Sequence, residues 1–329
     1  MSHPADAIDV SIIVVNWHSQ ALLAKCLQSL SPDLAALRCE VIVIDSASFD
    51  GCDAMLRQTM PAATFIQSQT NLGFARANNI AARRARGTCL MFLNPDTELD
   101  TPTVRPLYDF IMANCEAGVV GCRLLNSDGS LQASSTLPIP SILLSLLDSD
   151  LLRRLWPSAK LWGTEALYGD HTRPREATAV SGACLMIRRE LFERAGGFSE
   201  DYFMYLEDVD LADTVRRLGC RNYHLPSARV VHHGGSSAGH ATTAFAAVMM
   251  PEATRRFLNK KRGPTYARLY TLSVGLAGAV RVVVLGAARP VWGLTASGFN
   301  PRASFGKWLA VLKWSLGYDD VAARYYPQR

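Results

Sequence analysis

Three aspartates, Asp45, Asp96 and Asp208, stand at or just past apolar runs, and His232 closes a fourth such run. Carboxylates so placed can hold a divalent cation, accept a proton or receive N–H donors, and an imidazole can complete a metal's ligand set. Leu93-Asn94-Pro95-Asp96-Thr97 puts a carboxylate just beyond a buried strand. Mg2+ or Mn2+ held there could offset the charge that grows on a departing diphosphate. The same tripeptide is also an ordinary turn. Phe203 to Leu211 leads from aromatic and apolar residues into Glu207, Asp208 and Asp210. A partly dry pocket makes a carboxylate a better general base. These acids would equally suit the first turn of a helix over residues 209–218, with Asp210 facing Arg216 or Arg217. Arg229 to Ser237 carries His232 and His233 into a Gly-Gly-Ser-Ser turn. Strand alternation sends the two rings to opposite faces, so His232 alone is expected at a site. Asn71 to Asn79 opens a helix whose first N–H groups, with Arg76, could face a phosphate.

These residues need elements to hold them. The β-branched runs at 10–15 and 40–45, the short run at 64–66 and the apolar run at 89–93 read as buried strands. Helical spacing fills the intervals near 19–30, 49–58 and 73–86. Strands alternating with helices in this way imply right-handed βαβ units and a parallel sheet. Ligands in such sheets bind beyond the carboxyl ends of the strands, where Asn16, Asp45, Asn94 and Asp96 fall. Pro138, Pro140, Pro157 and Pro174 punctuate an insertion with one short apolar helix over 143–155. A strand then resumes at 183–187, followed by a helix over 189–195 that Gly196-Gly197 ends.

With 49% hydrophobic and 19% charged residues, the 329-residue chain can bury a full core. Its net charge of +5 is uneven. From Pro251 onward there are 13 Lys/Arg and 3 Asp/Glu, against 21 and 26 in the first 250 residues. An acidic body with a basic, apolar tail is the expected organisation. None of the 8 cysteines forms a CxxC pair, so buried thiols in a reducing compartment are expected. No signal peptide is expected, because the run at 10–15 is short and has no basic flank.

The stretches 11–16, 43–51, 71–79, 92–97, 181–187, 196–200, 203–211 and 232–236, in that order, resemble the inverting family 2 glycosyltransferases of the GT-A fold. They look most like the rhamnosyltransferase-like branch that builds bacterial surface polysaccharides. The resemblance implies an α/β fold with a mainly parallel central sheet, and an active site assigned as follows. Asp45 holds the nucleobase beside Asn16 and Ser46; a pyrimidine suits it, so a dTDP- or UDP-sugar, dTDP-rhamnose among them, is expected over a GDP-sugar. Asn71, Gly73 and Arg76 line the nucleotide site. Asn94 and Asp96 stand where the family's DxD motif sits, with Asp96 and His232 toward Mg2+ or Mn2+. Asp208, beside Glu207, deprotonates the acceptor hydroxyl in a single inverting displacement. Residues 1–250 then form the catalytic domain: a nucleotide-binding half over 1–100 and an acceptor-binding half over 101–250 with its insertion at 133–180. Residues 251–329 form a helical, membrane-seeking extension.

Residues 266–294 of that extension are apolar with sparse arginines. Burying Arg281 at a bilayer centre would cost roughly 2.5–3.5 kcal/mol. In-plane association is therefore expected, with Trp292, Trp308 and Trp314 as interfacial anchors; a homodimer through a helical hairpin is the alternative. The expected partners are a nucleotide-sugar donor, a glycan or lipid-linked acceptor and the membrane surface, with no nucleic acid. The expected location is the cytoplasm, peripheral to the inner face of the plasma membrane. Two rival readings are a non-catalytic sugar-nucleotide-binding scaffold and a nucleotidyltransferase. The latter should carry a glycine-rich basic loop where this chain has Asn16-Trp-His-Ser-Gln20.

Overall fold

The computed structural model describes residues 7–147, 150–168, 172–234, 243–288, 300–318 and 320–326. It divides into two compact units. The first takes in 1–139, 156–200 and 207–237; the second takes in 140–155, 201–206 and 238–329.

The strands in chain order are β1 (Val10–Asn16), β2 (Cys39–Ser46), β3 (Thr64–Ser68), β4 (Cys89–Leu93), β5 (Thr97–Leu99), β6 (Ala117–Leu125), β7 (Thr136–Leu137), β8 (Arg175–Ala177), β9 (Ala179–Val180), β10 (Cys184–Arg188) and β11 (Arg221–His232). The helices are α1 (Gln20–Ser29), α2 (Ser31–Ala36), α3 (Cys52–Thr59), α4 (Gly73–Ala82), α5 (Val104–Ala113), α6 (Ile142–Leu147), α7 (Asp150–Leu155), α8 (Arg189–Arg194), α9 (Glu207–Arg217), α10 (Thr243–Arg262), α11 (Pro264–Ala287), α12 (Pro301–Ser315) and α13 (Asp320–Tyr325).

In the first unit a nine-stranded sheet runs β3-β2-β1-β4-β10-β6-β11-β5, with β8 on the outer part of β11. The half read from the sequence, β3 to β4, is parallel. β10 then runs antiparallel to both β4 and β6, so the sheet is mixed beyond that point. Ile12, Ile13 and Val14 of β1 and all of β4 are buried, as a strand covered on both faces requires. On one face Phe92, Phe192 and Phe198 pack edge-on or tilted, with centroids 4.8–5.4 Å apart. Asn79 locks that cluster: its amide donates to the Phe198 carbonyl at 2.8 Å and accepts from the Phe198 N–H at 2.9 Å. Gly197 beside it has φ +76°, and a Cβ there would meet Asn79 Oδ1 at 2.8 Å. Two of the family-like stretches, around Asn79 and Gly197, are thus packing devices.

Several boundaries differ from expectation. α3 starts at Cys52, because Ala47 and Phe49 carry positive φ in the loop before it. The 143–155 helix is two short helices, α6 and α7. The insertion is pinned at its base by β7 pairing with β9. α9 begins at Glu207, which puts the acids in its first turn. Asp210 is buried, and Arg217 pairs instead with Asp213 one turn away, so the expected pairing of Asp210 with Arg216 or Arg217 is corrected.

In the second unit α10, α11 and α12 pack on one another, and α6 lies against α11. Val248, Phe257, Leu258, Tyr270, Val311 and Trp314 fill the interior. Glu252 is buried there and accepts from Arg255, Arg256 and Trp314 Nε1, the last at 3.1 Å. Burial opposes its ionisation, but the arginines and the indole N–H prevail and hold its carboxyl below the ordinary glutamate range. Trp314 is consequently an interior residue and not an interfacial anchor, while Trp308 carries the Arg281 guanidinium over its ring at 4.1 Å. Trp292 and Arg289 lie outside the described residues. α11 is long and apolar enough to cross a membrane by length and composition. Leu269, Leu272, Leu276, Val280, Val283 and Val284 are each more than half exposed and recur at helical spacing along one face of it.

Candidate active site

At the ends of β1 and β2 the parallel register sets Asn16 directly opposite Asp45. Asn16 Nδ2 donates to Asp45 Oδ1 at 2.8 Å and lies 3.1 Å from each Asp50 oxygen. Asp45 Oδ2 accepts from the Ser48 N–H at 3.1 Å, the Phe49 N–H at 3.0 Å and Gln67 Nε2 at 2.7 Å, and the Ser48 hydroxyl donates to Oδ1. Burial alone would raise the Asp45 pKa, but these donors outweigh it and hold the carboxyl below the ordinary aspartate range. A ligand reaching Asp45 must therefore displace one of the donors it already has. Asp50 accepts from the Gln20 N–H at 3.0 Å and so fixes the start of α1 against the same loop. Asp45, Asp50 and the Cys52 thiol come within 4.8 Å of one another, a spacing a cation could use. Burial and the two carboxylates push that thiol's pKa up, and the Asn16 amide already sits between the carboxylates. This cluster is built as a hydrogen-bonded loop anchor.

Ser46 closes β2 and Asn71 precedes α4. Ser46 Oγ accepts from the Leu72 N–H at 2.8 Å and donates to Asn71 Oδ1 at 3.3 Å, and Asn71 Oδ1 also takes the Gly73 N–H at 3.0 Å. Gly73 has φ +68°, which a side chain would strain. The two residues thus hold the mouth of α4 against the end of β2. Arg76, on the first turn of α4, is exposed and makes no hydrogen bond or ion pair among the described residues.

Asn94 and Asp96 follow β4, and the three-residue β5 that comes next pairs antiparallel with the end of β11, His232 opposite Thr97. This pairing brings His232 Nε2 to 3.4 Å from Asp96 Oδ1 and 3.5 Å from Asn94 Nδ2. Asp96 is almost fully buried, and its Oδ1 accepts no hydrogen bond. At 3.4 Å the imidazole is within ion-pair range but too far for a good hydrogen bond. An unsatisfied buried carboxylate oxygen and an imidazole nitrogen turned toward each other fit a divalent cation with mixed oxygen and nitrogen ligands. His233 points away, as alternation requires, to Ser127 Oγ at 2.8 Å and Glu98 Oε1 at 3.0 Å. Gly235, Ser236 and Ser237 of the turn lie outside the described residues.

Asp208 is half-buried in the first turn of α9. Its Oδ2 accepts from the Gly182 N–H and its Oδ1 from the Val209 N–H, both at 2.8 Å. A Cβ on Gly182 would come within 3.4 Å of both Asp208 Oδ2 and the Phe74 ring. Burial raises the Asp208 pKa against these two donors. Glu207 is more deeply buried, and its Oε2 accepts no hydrogen bond. Burial first, and then the neighbouring Asp208 charge, hold its carboxyl well above the ordinary glutamate range. Tyr205 and Leu206, directly before the pair, both have left-handed φ, +72° and +67°, a costly backbone of the kind found where a side chain must be aimed.

One short segment joins the last two groups. Gly182 gives its N–H to Asp208, and the carbonyl of the next residue, Ala183, accepts the Asn94 N–H at 2.9 Å. The structure thus gathers Asn16 with Asp45, Ser46 with Asn71 and Gly73, and Asn94 with Asp96 and His232, and links this last group to Asp208. Sequence reasoning missed Ser48, Asp50 and Gln67 around Asp45, Gly182 behind Asp208, and Gln132, whose Oε1 lies 2.8 Å from His232 Nδ1. Ser48, Asp50 and Gly182 lay inside stretches already singled out, though without a role of their own; Gln67 and Gln132 reach the site only through strand pairing.

Residues 11–196 match the family described as Glycosyl transferase family 2. The N-acetylglucosaminyl-diphospho-decaprenol L-rhamnosyltransferase of Mycobacterium tuberculosis is 30% identical over 242 residues, covering 69% of this chain and 77% of that protein. Rhamnosyltransferase WbbL of Escherichia coli is 25% identical over 265 residues, covering 77% and 94%. Among solved structures, the mannosyltransferase PcManGT from Pyrobaculum calidifontis, in complex with GDP-Man and Mn2+, superposes with a TM-score of 0.55 at 22% identity, covering 96% of this chain and 90% of that one. A sheet with its polar groups beyond the strand ends, and this match over more than half of the sequence, lead to one conclusion: the chain belongs to glycosyl transferase family 2, as a glycosyltransferase of GT-A fold in the rhamnosyltransferase-like branch.

Proposed function

We propose that the chain transfers rhamnose or a related hexose from a dTDP- or UDP-sugar to a saccharide built on a lipid diphosphate, with inversion and with Mg2+ or Mn2+. The observation that carries this reading is the link from Asn94 through Ala183 and Gly182 to Asp208, which ties the Asp96–His232 pair to a carboxylate of raised basicity. The mycobacterial relative's name specifies a rhamnosyl group and an acceptor on diphospho-decaprenol, and both are carried over here as part of the proposal.

Asp45 accepts an imide N–H of the base, with Gln67 or Ser48 giving way. The first N–H groups of α4, set by Ser46 and Asn71, together with Arg76, meet the diphosphate. Asp96 and His232 would hold the ion, with Asn94 beside them. When bound, the ion neutralises charge developing on the departing diphosphate. Asp208 takes the proton from the acceptor hydroxyl as that oxygen attacks the anomeric carbon. Burial and the Asp208 charge make Glu207 the harder member of the pair to ionise, which leaves Asp208 to act as the base. A single displacement needs only that base, unlike a double displacement through a covalent intermediate.

The exposed apolar face of α11 from Leu269 to Val284 and the basic residues Lys260, Lys261, Arg262 and Lys307 support in-plane attachment to an anionic cytoplasmic membrane surface, where a lipid-linked acceptor resides. The test of function is release of nucleoside diphosphate from dTDP-rhamnose, UDP-glucose and GDP-mannose by the full chain, with and without a prenyl-diphosphate-linked N-acetylglucosamine, in Mn2+ or EDTA. Acceptor-dependent release from a dTDP- or UDP-sugar that EDTA abolishes is expected. Turnover restricted to GDP-mannose, or insensitive to EDTA, would refute the donor or the metal assignment respectively.

A further inference from the structure

We propose that Gln132 is a positioning residue: it fixes His232 with its proton on Nδ1 and so keeps the Nε2 lone pair turned toward Asp96 and the divalent ion. The proposal rests on the reading of Asp96 and His232 as ligands of that ion.

Gln132 Nε2 lies 3.1 Å from Asn126 Oδ1 and 3.4 Å from the main-chain carbonyl of His232. A main-chain carbonyl can only accept, so the amide nitrogen of Gln132 belongs on that side. Turning the amide over would set two carbonyl oxygens against each other. The side-chain carbonyl of Gln132 therefore faces His232 Nδ1, 2.8 Å away. That oxygen can only accept, so Nδ1 carries the proton and Nε2 of the neutral ring carries a lone pair. On the Nε2 side Asn94 Nδ2 at 3.5 Å is a donor that suits a lone pair, whereas Asp96 Oδ1 at 3.4 Å is an acceptor with no hydrogen bond of its own, and a cation between it and Nε2 would satisfy both. His233 is the contrasting case, with both ring nitrogens already taken by Ser127 and Glu98.

Gln132 does not depend on its side chain to stay in place. Its N–H donates to the Leu124 carbonyl at 2.9 Å, and its own carbonyl accepts from the Ser135 N–H at 3.1 Å and the Ser135 hydroxyl at 2.7 Å. Substituting the side chain should leave this backbone pairing intact. Partners that orient a ligating histidine through its second nitrogen typically govern metal affinity by 10–100-fold.

The experiment is a titration of the full chain with Mn2+ at saturating dTDP, followed by electron paramagnetic resonance of the free ion. It compares wild type with Gln132→Leu, Gln132→Glu and His232→Ala. Gln132→Leu should weaken Mn2+ binding about 10–100-fold, and Gln132→Glu, which keeps an acceptor for Nδ1–H, should restore it to within about threefold. In parallel, histidine-selective 15N labelling without metal should report Nδ1–H for His232 in wild type and Gln132→Glu, and a changed tautomer in Gln132→Leu; the signal is assigned by its loss in His232→Ala. Unchanged Mn2+ binding in His232→Ala would overturn the ligand assignment itself. A weakened His232→Ala with an unaffected Gln132→Leu would overturn the role of Gln132 alone. So would a weakened Gln132→Leu whose tautomer is unchanged, or one that Gln132→Glu fails to restore.

Discussion

Asn in place of Asp208 removes the ionised carboxylate while keeping the side chain's size, and Gln in place of Glu207 does the same for its neighbour. The two changes should part sharply. Asp208 is the half-buried, reachable member of the pair, and its pKa is raised by burial against two backbone donors at 2.8 Å. Burial and the Asp208 charge hold Glu207 well above the ordinary glutamate range, so it is the harder of the two to ionise. Loss of a general base costs about 10²–10⁴ in rate, or roughly 2.7–5.5 kcal/mol at 1.36 kcal/mol per tenfold. Asp208→Asn should therefore lower kcat/KM for acceptor by that factor. Its amide can accept only one of the two backbone N–H groups, so a stability loss of about 1–3 kcal/mol should accompany it. Glu207→Gln imitates the neutral form that burial favours there, and kcat/KM should stay within about threefold. The acid limb of the wild-type profile should lie above the ordinary aspartate value of 3.8, because the base works only when deprotonated and burial raises its pKa. The assay is initial-rate diphosphate release across pH, with calorimetric donor binding to show that the nucleotide site survives. If Asp208→Asn keeps more than a tenth of wild-type kcat/KM, or Glu207→Gln falls as far as Asp208→Asn, the assignment of the base is wrong.

Two further outcomes are expected. Glu252→Gln should destabilise the helical unit by about 1–3 kcal/mol near neutral pH, seen as a lower midpoint in thermal unfolding followed by circular dichroism. Its folded pKa lies below the ordinary 4.5, so the Glu252 contribution is present above that value and fades as pH falls through the folded pKa; the gap between wild type and variant should close there. Changing both Leu272 and Leu276 to Glu should abolish flotation of the full chain with phosphatidylglycerol vesicles, because each exposed leucine contributes about 1.5–3 kcal/mol on insertion. Unchanged flotation would move the membrane contact off this face of α11.

The parallel half of the sheet was legible because its signals are local. β-branched runs, glycine-punctuated loops and polar residues at strand ends occur within short windows, and β4 lies where the apolar run predicts it. The mixed half was not. β10 gives an ordinary apolar run, and nothing in Cys184 to Arg188 says that it lies antiparallel between β4 and β6. Asp45, Asp96 and His232 stood out by residue type and position, whereas Gln132 has no motif around it and acquires meaning only when β11 lies beside β6 and β5. Trp314 misled for a related reason. An aromatic in an apolar, basic tail suits a membrane interface, but the buried Glu252 accepts its indole N–H, and neither residue alone announces the other.

The two ends of the site lie at very different distances along the chain, and synthesis runs in one direction. Asn16 and Asp45 are joined across 29 residues, within one βαβ turn, whereas Asn94 meets His232 across 138. Contacts between distant residues cost more closure entropy and form more slowly. A chain emerging from the ribosome has the residues of the Asn16–Asp45 cluster and of the mouth of α4 long before β11 exists. On the proposed function, the nascent protein should thus be able to hold a nucleotide before it can break the sugar's bond to it.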